Sequence, residues 1–380
     1  MKFELKKTLS GSKARLGEIT TTHGKIATPV FMPVGTQGTV KTLDFSELLE
    51  ARINIILANA YHLYLRPGPE IIRLAGGLHR FSGWDGAILT DSGGYQIFSL
   101  AQRRKISPQG VEFSSHIDGK KIFLTPEDIV NWQLLLGSDI MMPLDECLGY
   151  PVGKEYARSS LNLTRDWAER SKLVYEEKLR QQPDCPSVLF GIVQGAQFPD
   201  LRQEAAHQLV ELDFAGYAIG GLSVGEPRQV TWECLEAVTE ILPEDRPRYF
   251  MGLGEPGDIL EAVDRGVDMF DCVLPTRNGR NGQAFTRQGK LNIKNAGYKS
   301  DFQPIEKNCP CPVCRKYSRA YINHLFNSGE LLALRLLSLH NLYFMRQLLA
   351  DIRRAIAAGD WPRFKADFLN GEKEYAANNC

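Results

Sequence analysis

Four side chains suited to chemistry stand at the ends of short apolar runs. Asp91 lies in Thr90-Asp91-Ser92-Gly93-Gly94-Tyr95-Gln96, Asp145 in Met141-Met142-Pro143-Leu144-Asp145-Glu146-Cys147, Gln194 in Gly191-Ile192-Val193-Gln194-Gly195, and Asp271 follows Phe270. Taken singly, each aspartate reads equally well as a helix cap or an ion-pair partner. Gathered at one place, three carboxylates make general acid–base and nucleophilic chemistry available. The pair Gly93-Gly94 lets a backbone approach a ligand closely, and Tyr95 adds an aromatic face.

A second constellation is Cys309-x-Cys311-x-x-Cys314, which sets three thiolates within six residues, while Cys147, Cys185, Cys234, Cys272 and Cys380 are scattered. This is metal-site spacing and not a disulfide framework. One more ligand closes a tetrahedral shell; His340, on the longer downstream helix, is taken for it, and by spacing alone His324 is nearly as good. Three Cys and one His leave no position open for water, so one structural Zn²⁺ per subunit is expected.

The elements that must position these groups are legible as eight runs: Pro29 to Gly35, Ile53 to Ala60, Ala87 to Gly93, Asp139 to Glu146, Ser187 to Gly195, Gly216 to Leu222, Pro247 to Gly254 and Asp268 to Leu274. Their alternation with amphipathic stretches argues for βα units and a parallel sheet, and eight units close a barrel. In that fold the strand ends share one mouth, where Asp91, Asp145, Gln194 and Asp271 would meet. Helices are expected over Asp44 to Arg52, Pro126 to Leu136, Tyr156 to Leu179 and Pro199 to Leu212, with Thr125 as N-cap before Pro126. Gly110 to Leu124 reads as a β-hairpin turning at Asp118-Gly119, an insertion at the mouth.

After the eighth run the pattern breaks into Asn278, Gly279, Arg280, Asn281 and Gly282, followed by the cysteines and two helical stretches, Tyr317 to Phe326 and Glu330 to Ala358. On the first, Tyr317, Tyr321 and His324 would share a face, a candidate subunit interface. The expected organisation is α/β, a (β/α)8 TIM barrel with a zinc-binding subdomain inserted after strand 8. Residues 1–275 form the barrel body with N-terminal β elements and mouth insertions, 276–345 a basic zinc-binding insertion, and 346–380 a C-terminal helical segment completing the barrel.

Net charge is zero over 380 residues, yet Pro275 to Ala320 carries ten Lys or Arg against Asp301 and Glu306. A patch of plus eight on a body of minus eight suggests a local polyanion site. No run approaches the length of a membrane span, and Met1 to Gly17 lacks the apolar centre of a signal peptide, so a soluble cytoplasmic protein is expected.

The motifs together resemble the tRNA-guanine transglycosylases, the queuine tRNA-ribosyltransferase group, colinearly over essentially the whole chain. Asp91-Ser92-Gly93-Gly94-Tyr95-Gln96, Gly220-Gly221-Leu222-Ser223-Val224-Gly225-Glu226, Asp271-Cys272-Val273-Leu274-Pro275-Thr276-Arg277 and the cysteine triplet stand in family order. The resemblance implies exchange of guanine at the anticodon wobble position of tRNA for a 7-deazaguanine. It assigns Asp271 as nucleophile toward C1′ and Asp91 as general acid and then base. Asp145 would read N1–H and the exocyclic amine of the base. Gln194 and the Gly221 backbone would address O6, and Tyr95 and Met251 would sandwich the ring. Ser92, Gly93, Gly94, Gly220 and Leu222 complete the expected base pocket, with Cys147 as its wall.

RNA contact is expected from Gly252, Leu253, Gly254, Glu255, Pro256, Gly257 and Asp258 and from Thr276, Arg277, Asn278, Gly279 and Arg280, with Arg277 and Arg280 foremost. Val224 and the chain's end soon after its last helix resemble the bacterial type, which uses preQ1, and a homodimer is expected. Two rivals are weighed. A non-catalytic tRNA-binding subunit is disfavoured by the presence of both Asp91 and Asp271, and a zinc hydrolase or deaminase would need an open metal site.

Overall fold

The computed structural model describes residues 1–100 and 104–378, with the side chains of 98–103 and 372–380 left aside; Cys380 lies outside the described residues. Each of the eight apolar runs contains a strand, and all pair in parallel. One sheet is ordered Val188–Leu189, Ile140–Met141, Ala87–Thr90, Ile55–Ala58; a second is ordered Gly191–Val193, Tyr217–Ile219, Arg248–Phe250, Met269–Cys272, Val30–Pro33. The two sheets communicate at both ends. Val34 bridges in parallel to Leu57, and the run 188–193 supplies a strand to each sheet.

Alternation along these strands sorts their side chains into two buried clusters. Met32, Ile55, Leu57, Leu89, Ile140, Phe190, Ile192, Ala218, Tyr249 and Met269 pack together, and Ile19 and Ile26 of the N-terminal meander join them. Residues between them, such as Phe31, Ile56, Ile88, Met141, Leu189, Ile219, Phe250 and Phe270, face the helices. Burial on both faces is why these strands read as continuous apolar runs. It also carries Asp91, Gln194, Met251 and Asp271 to one side, since each stands two residues beyond a member of the first cluster.

Helices form where their caps foretell. Phe45–Glu50 starts at Asp44 in a capping box with Glu47, and Pro126–Leu136 starts at Thr125, whose hydroxyl accepts from Asp128 N–H while Asp128 returns the bond. Lys154–Gln181 and Pro199–Glu211 cover the other two expected helices. The anticipated hairpin is part of a three-stranded antiparallel sheet, Arg104–Ser107, Gly110–Ser114 and Lys121–Leu124, turning at Ser115 to Lys120. Tyr61 OH lies 3.0 Å from His116 Nδ1, which ties that turn to the helix Ala60–Leu65.

Two local expectations are corrected. Tyr317 lies outside the helix, which runs Arg319–Asn327 from a Ser318 cap; the short helix Pro312–Lys316 ends at Tyr317 in extended backbone, and the Tyr317 ring still stacks on Tyr321 with centroids 5.5 Å apart. The Gly, Asn and Arg segment after the eighth strand is not irregular throughout, because Leu274–Arg280 is helical against the long helix Leu331–Ala358. Gly279 makes that approach possible: a Cβ there would meet Ser338 N at 2.6 Å. The long helix also runs unbroken across 345 and 346 and is followed by a further helix, Trp361–Asn378. Among the described residues no helix is long and apolar enough to cross a membrane.

Candidate active site

Asp91 follows the Ala87–Thr90 strand and is buried, with Oδ1 accepting from Ala60 N–H at 2.9 Å and Oδ2 from the Asn59 amide. Burial pushes its carboxyl up to about 7, the Asn59 and Ala60 hydrogen bonds oppose that rise, and the Asp271 charge adds to it. The two carboxylates therefore sense each other although 180 positions separate them in sequence. Asp271, on the last parallel strand, accepts from Tyr249 OH at 2.5 Å and from Gly252 N–H at 2.7 Å, both through Oδ1. Burial raises it as well, and those two donors oppose the rise.

Asp145 lies beyond its strand in an extended segment, yet it faces the same place. Ser92 Oγ donates to its Oδ1 at 2.9 Å, and Gln194 Nε2 to its Oδ2 at 2.7 Å. Burial lifts the carboxyl, and the neighbouring Glu146 adds to that rise. Gly94 packs against Asp145, where a Cβ would fall 2.7 Å from the Asp145 carbonyl and Oδ1. Gly221 has φ +62°, and a Cβ on it would meet Gln194 Oε1 at 2.3 Å, so both the turn and the Gln194 amide require glycine. Tyr95 is 57% exposed at the start of the helix Gly94–Leu100, leaving a ring face free, and Met251 is half-buried beside the strand end. Cys147 is buried and its thiol is pushed up to about 12, which suits a wall and not a nucleophile.

Three positioning groups escape the sequence reading. Asn59 ends the second run as Asp91 ends the third, and Tyr249 shares the face of Met251; both signals are present but neither residue type stands out. Arg202 carries no local signal at all. From the helix Pro199–Glu211 its fully buried guanidinium donates to the carbonyls of Ala196 at 2.7 Å and of Gly220 and Gly221 at 2.9 Å, holding the diglycine turn.

Of the residues expected to meet RNA, Arg277 is exposed, Arg280 is half-buried and donates to Thr276 O at 3.2 Å, and Gly252 is exposed. Thr276 and Gly279 are buried against the long helix, so they brace this segment and do not present it. Glu255 pairs with Lys290 at 2.6 Å, and Asp258 with Arg228 at 3.1 Å.

The sulfur atoms of Cys309, Cys311 and Cys314 and a nitrogen of His340 lie within 4.8 Å of one another. His340 Nδ1 is 3.5 Å from Cys311 Sγ and 3.4 Å from Cys314 Sγ, and His340 Nε2 is 2.8 Å from Phe285 O. A donor from Nε2 to that carbonyl leaves Nδ1 free to coordinate, so the four residues fit a metal ion. His324 stands exposed on the neighbouring helix and outside the cluster, which decides between the two histidines.

Carboxylates buried at parallel strand ends form a candidate active site, and apart from them stands a Cys/His cluster that could hold a metal ion. The queuine tRNA-ribosyltransferase family model matches residues 10–374, and the chain belongs to that family of pentosyltransferases. It is 55% identical over 376 residues to a queuine tRNA-ribosyltransferase of Thermoanaerobacter sp. (strain X514), covering 98% of this chain and 99% of the relative. Another from Caldanaerobacter subterraneus subsp. tengcongensis is 53% identical over 378 residues, covering 100% and 98%.

Proposed function

We propose that this enzyme exchanges guanine at the wobble position of GUN tRNA anticodons for preQ1, 7-aminomethyl-7-deazaguanine, by double displacement through a covalent enzyme–RNA intermediate in queuosine biosynthesis. The observation that carries this reading is the pairing of Asp271, held by Tyr249 and Gly252, with an Asp91 whose carboxyl titrates near neutrality within its electrostatic reach.

Cleaving a purine N-glycosidic bond builds positive charge at C1′. Asp271 attacks C1′, the C1′–N9 bond breaks, and the departing guanine takes a proton from Asp91. Asp91, now ionised, removes a proton from the incoming base, whose nitrogen displaces Asp271. Two displacements retain configuration and conserve the glycosidic bond energy without ATP. A carboxyl near 7 suits a group that must give and then take a proton.

Asp145 accepts N1–H and the exocyclic amine of either base. Its own donors, Ser92 and Gln194, keep both oxygens directed, while Gln194 and the Gly221 backbone address O6. Tyr95 and Met251 enclose the ring, as bases taken out of a stack are held. Gly93, Gly220 and Leu222 complete the pocket. The preQ1 assignment rests on resemblance through Val224.

Arg277 and Arg280, with residues 252–258, meet the anticodon loop. A structural Zn²⁺ on Cys309, Cys311, Cys314 and His340 supplies folding energy to the basic arm and no step of the reaction. Division into 1–275, 276–345 and 346–380 remains our reading of the body, arm and closing segment. Closure into a (β/α)8 barrel is supported by the Val34–Leu57 bridge and by the shared run 188–193. A homodimer is supported by the stacked Tyr317 and Tyr321 and by exposed Phe302, which lines a cleft with them, and a cytoplasmic location follows from the tRNA substrate.

The test mixes the protein with a wobble-guanine anticodon stem-loop and looks for an RNA adduct that survives denaturation. Adduct from wild type and none from Asp271→Asn supports the reading. Turnover by Asp271→Asn at the wild-type rate defeats it.

A further inference from the structure

A second group of donors lies at the opposite end of the strands from the candidate active site. His23 occupies the turn between strands Ser12–Thr21 and Gly24–Thr28, His79 the short helix Leu78–Ser82, and Asp139 the position just before Ile140–Met141. Because the strands are parallel, a residue ahead of its strand is remote from Asp91, just beyond the end of its strand, and from Asp271, in the last half of its own. His23 Nδ1 is 2.8 Å from Asp139 Oδ1 and His79 Nε2 is 3.6 Å from Asp139 Oδ2. Among the described residues, only this group and the Cys3His cluster bring three or more such donors within 4.8 Å.

The geometry points to a divalent transition-metal site whose ligands are His23 Nδ1, His79 Nε2 and the Asp139 carboxylate. Two imidazoles and a carboxylate suit Zn²⁺, Ni²⁺, Co²⁺ or Cu²⁺. At metal–ligand distances of roughly 2.0–2.1 Å, tetrahedral ligands stand roughly 3.3 Å apart, and the observed 2.8 and 3.6 Å bracket that spacing. The Asp139 carboxylate is pre-oriented because Ile88 N–H donates to Oδ2 at 2.8 Å, the kind of supporting contact that aligns a ligating carboxylate. The His23 side chain is 30% exposed, which gives an ion a route in and leaves a coordination position for water.

Binding displaces the proton shared between His23 and Asp139, and the His79 proton that now reaches Gly86 O, 3.0 Å from Nε2, moves to Nδ1. The rings are stacked at 3.8 Å and 10°, so their in-plane lone pairs lie in nearly parallel planes and the rings must tilt apart to converge on one ion. His23, on a turn, is the ring free to swing. That cost makes this site weaker than the Cys3His cluster, and occupancy would clamp the N-terminal meander to the strand starts.

The experiment adds Co²⁺ to holoprotein whose Cys3His cluster already holds zinc. The expected result is visible absorption without a thiolate charge-transfer band, together with a melting temperature that climbs with Co²⁺ concentration. Both responses should vanish in His79→Ala and in His23→Gln, the latter lying on a half-exposed turn that tolerates change, while the resident zinc stays bound. Absent absorption at millimolar Co²⁺, or absorption that survives both substitutions, overturns the site.

Discussion

Tyr249 donates its phenolic hydrogen to Asp271 Oδ1 at 2.5 Å, from the middle of the strand Arg248–Phe250. Since Gly252 N–H acts on the same oxygen, the second oxygen is left for the nucleophilic role we propose. A hydrogen bond to a charged group contributes about 1.5–3 kcal/mol. Tyr249→Phe should lower kcat/KM by roughly 10- to 100-fold at neutral pH. Its acid limb should move to higher pH, because the ionised Asp271 loses a donor. Unchanged kinetics would remove Tyr249 from the mechanism.

Asp91 carries its own pH signature. Its carboxyl is raised to about 7 in the folded chain against 3.8 as the ordinary value, so the native state binds more protons between those limits. The associated stability is fully present below the unfolded value and is lost as pH rises through about 7. Asp91→Asn should therefore gain in melting temperature relative to wild type as pH rises from about 4 to about 7, and hold that gain above it, while losing base exchange by about 10²-fold or more. Melting curves of both proteins across that range decide it; parallel curves would contradict a raised Asp91.

Gly221→Ala tests the base pocket without touching a carboxylate. The added methyl would collide with Gln194 Oε1 in a backbone of φ +62°. The expected outcome is a KM for the free base raised about tenfold, for the loss of roughly one hydrogen bond, with RNA affinity unchanged. Equal losses in both would mean that the whole mouth had collapsed.

Metal content separates the two histidines. His340→Ala should release the ion, lower the melting temperature and lose activity together, because His340 joins the long helix to the cysteine knuckle. His324→Ala should keep the ion. Elemental analysis of the purified variants reads this directly.

Salt dependence probes the RNA face. If about four phosphates are neutralised, log K falls against log salt with a slope near −2.8, at ~0.7 per contact. Arg277→Ala should flatten that slope by ~0.7. Glu255 and Asp258, already paired with Lys290 and Arg228, would leave it unchanged when replaced by amides.

The eight strands, the four body helices, the hairpin and the metal triplet are all legible in the chain itself. Apolar alternation, a Thr125 cap and a tight cysteine spacing act over a few residues, so they survive without knowledge of the neighbours. The same period of two points Asp91, Gln194 and Asp271 to a common side. Local patterning fails where two helices abut: nothing near Tyr317 announces that a Pro312–Lys316 turn ends there, or that Gly279 lets Leu274–Arg280 coil against Ser338.

Tertiary structure alone decided the partners. Asn59 on Asp91, Tyr249 on Asp271, Arg202 beneath the diglycine turn and His340 over His324 all depend on strand order, stagger and helix placement. Their residue types are ordinary, and their effect comes from desolvation at one strand-end mouth, where burial raises three carboxylates and leaves each one governed by the donors that reach it. A one-dimensional chain carries the identity of those donors and not the distances across which they act.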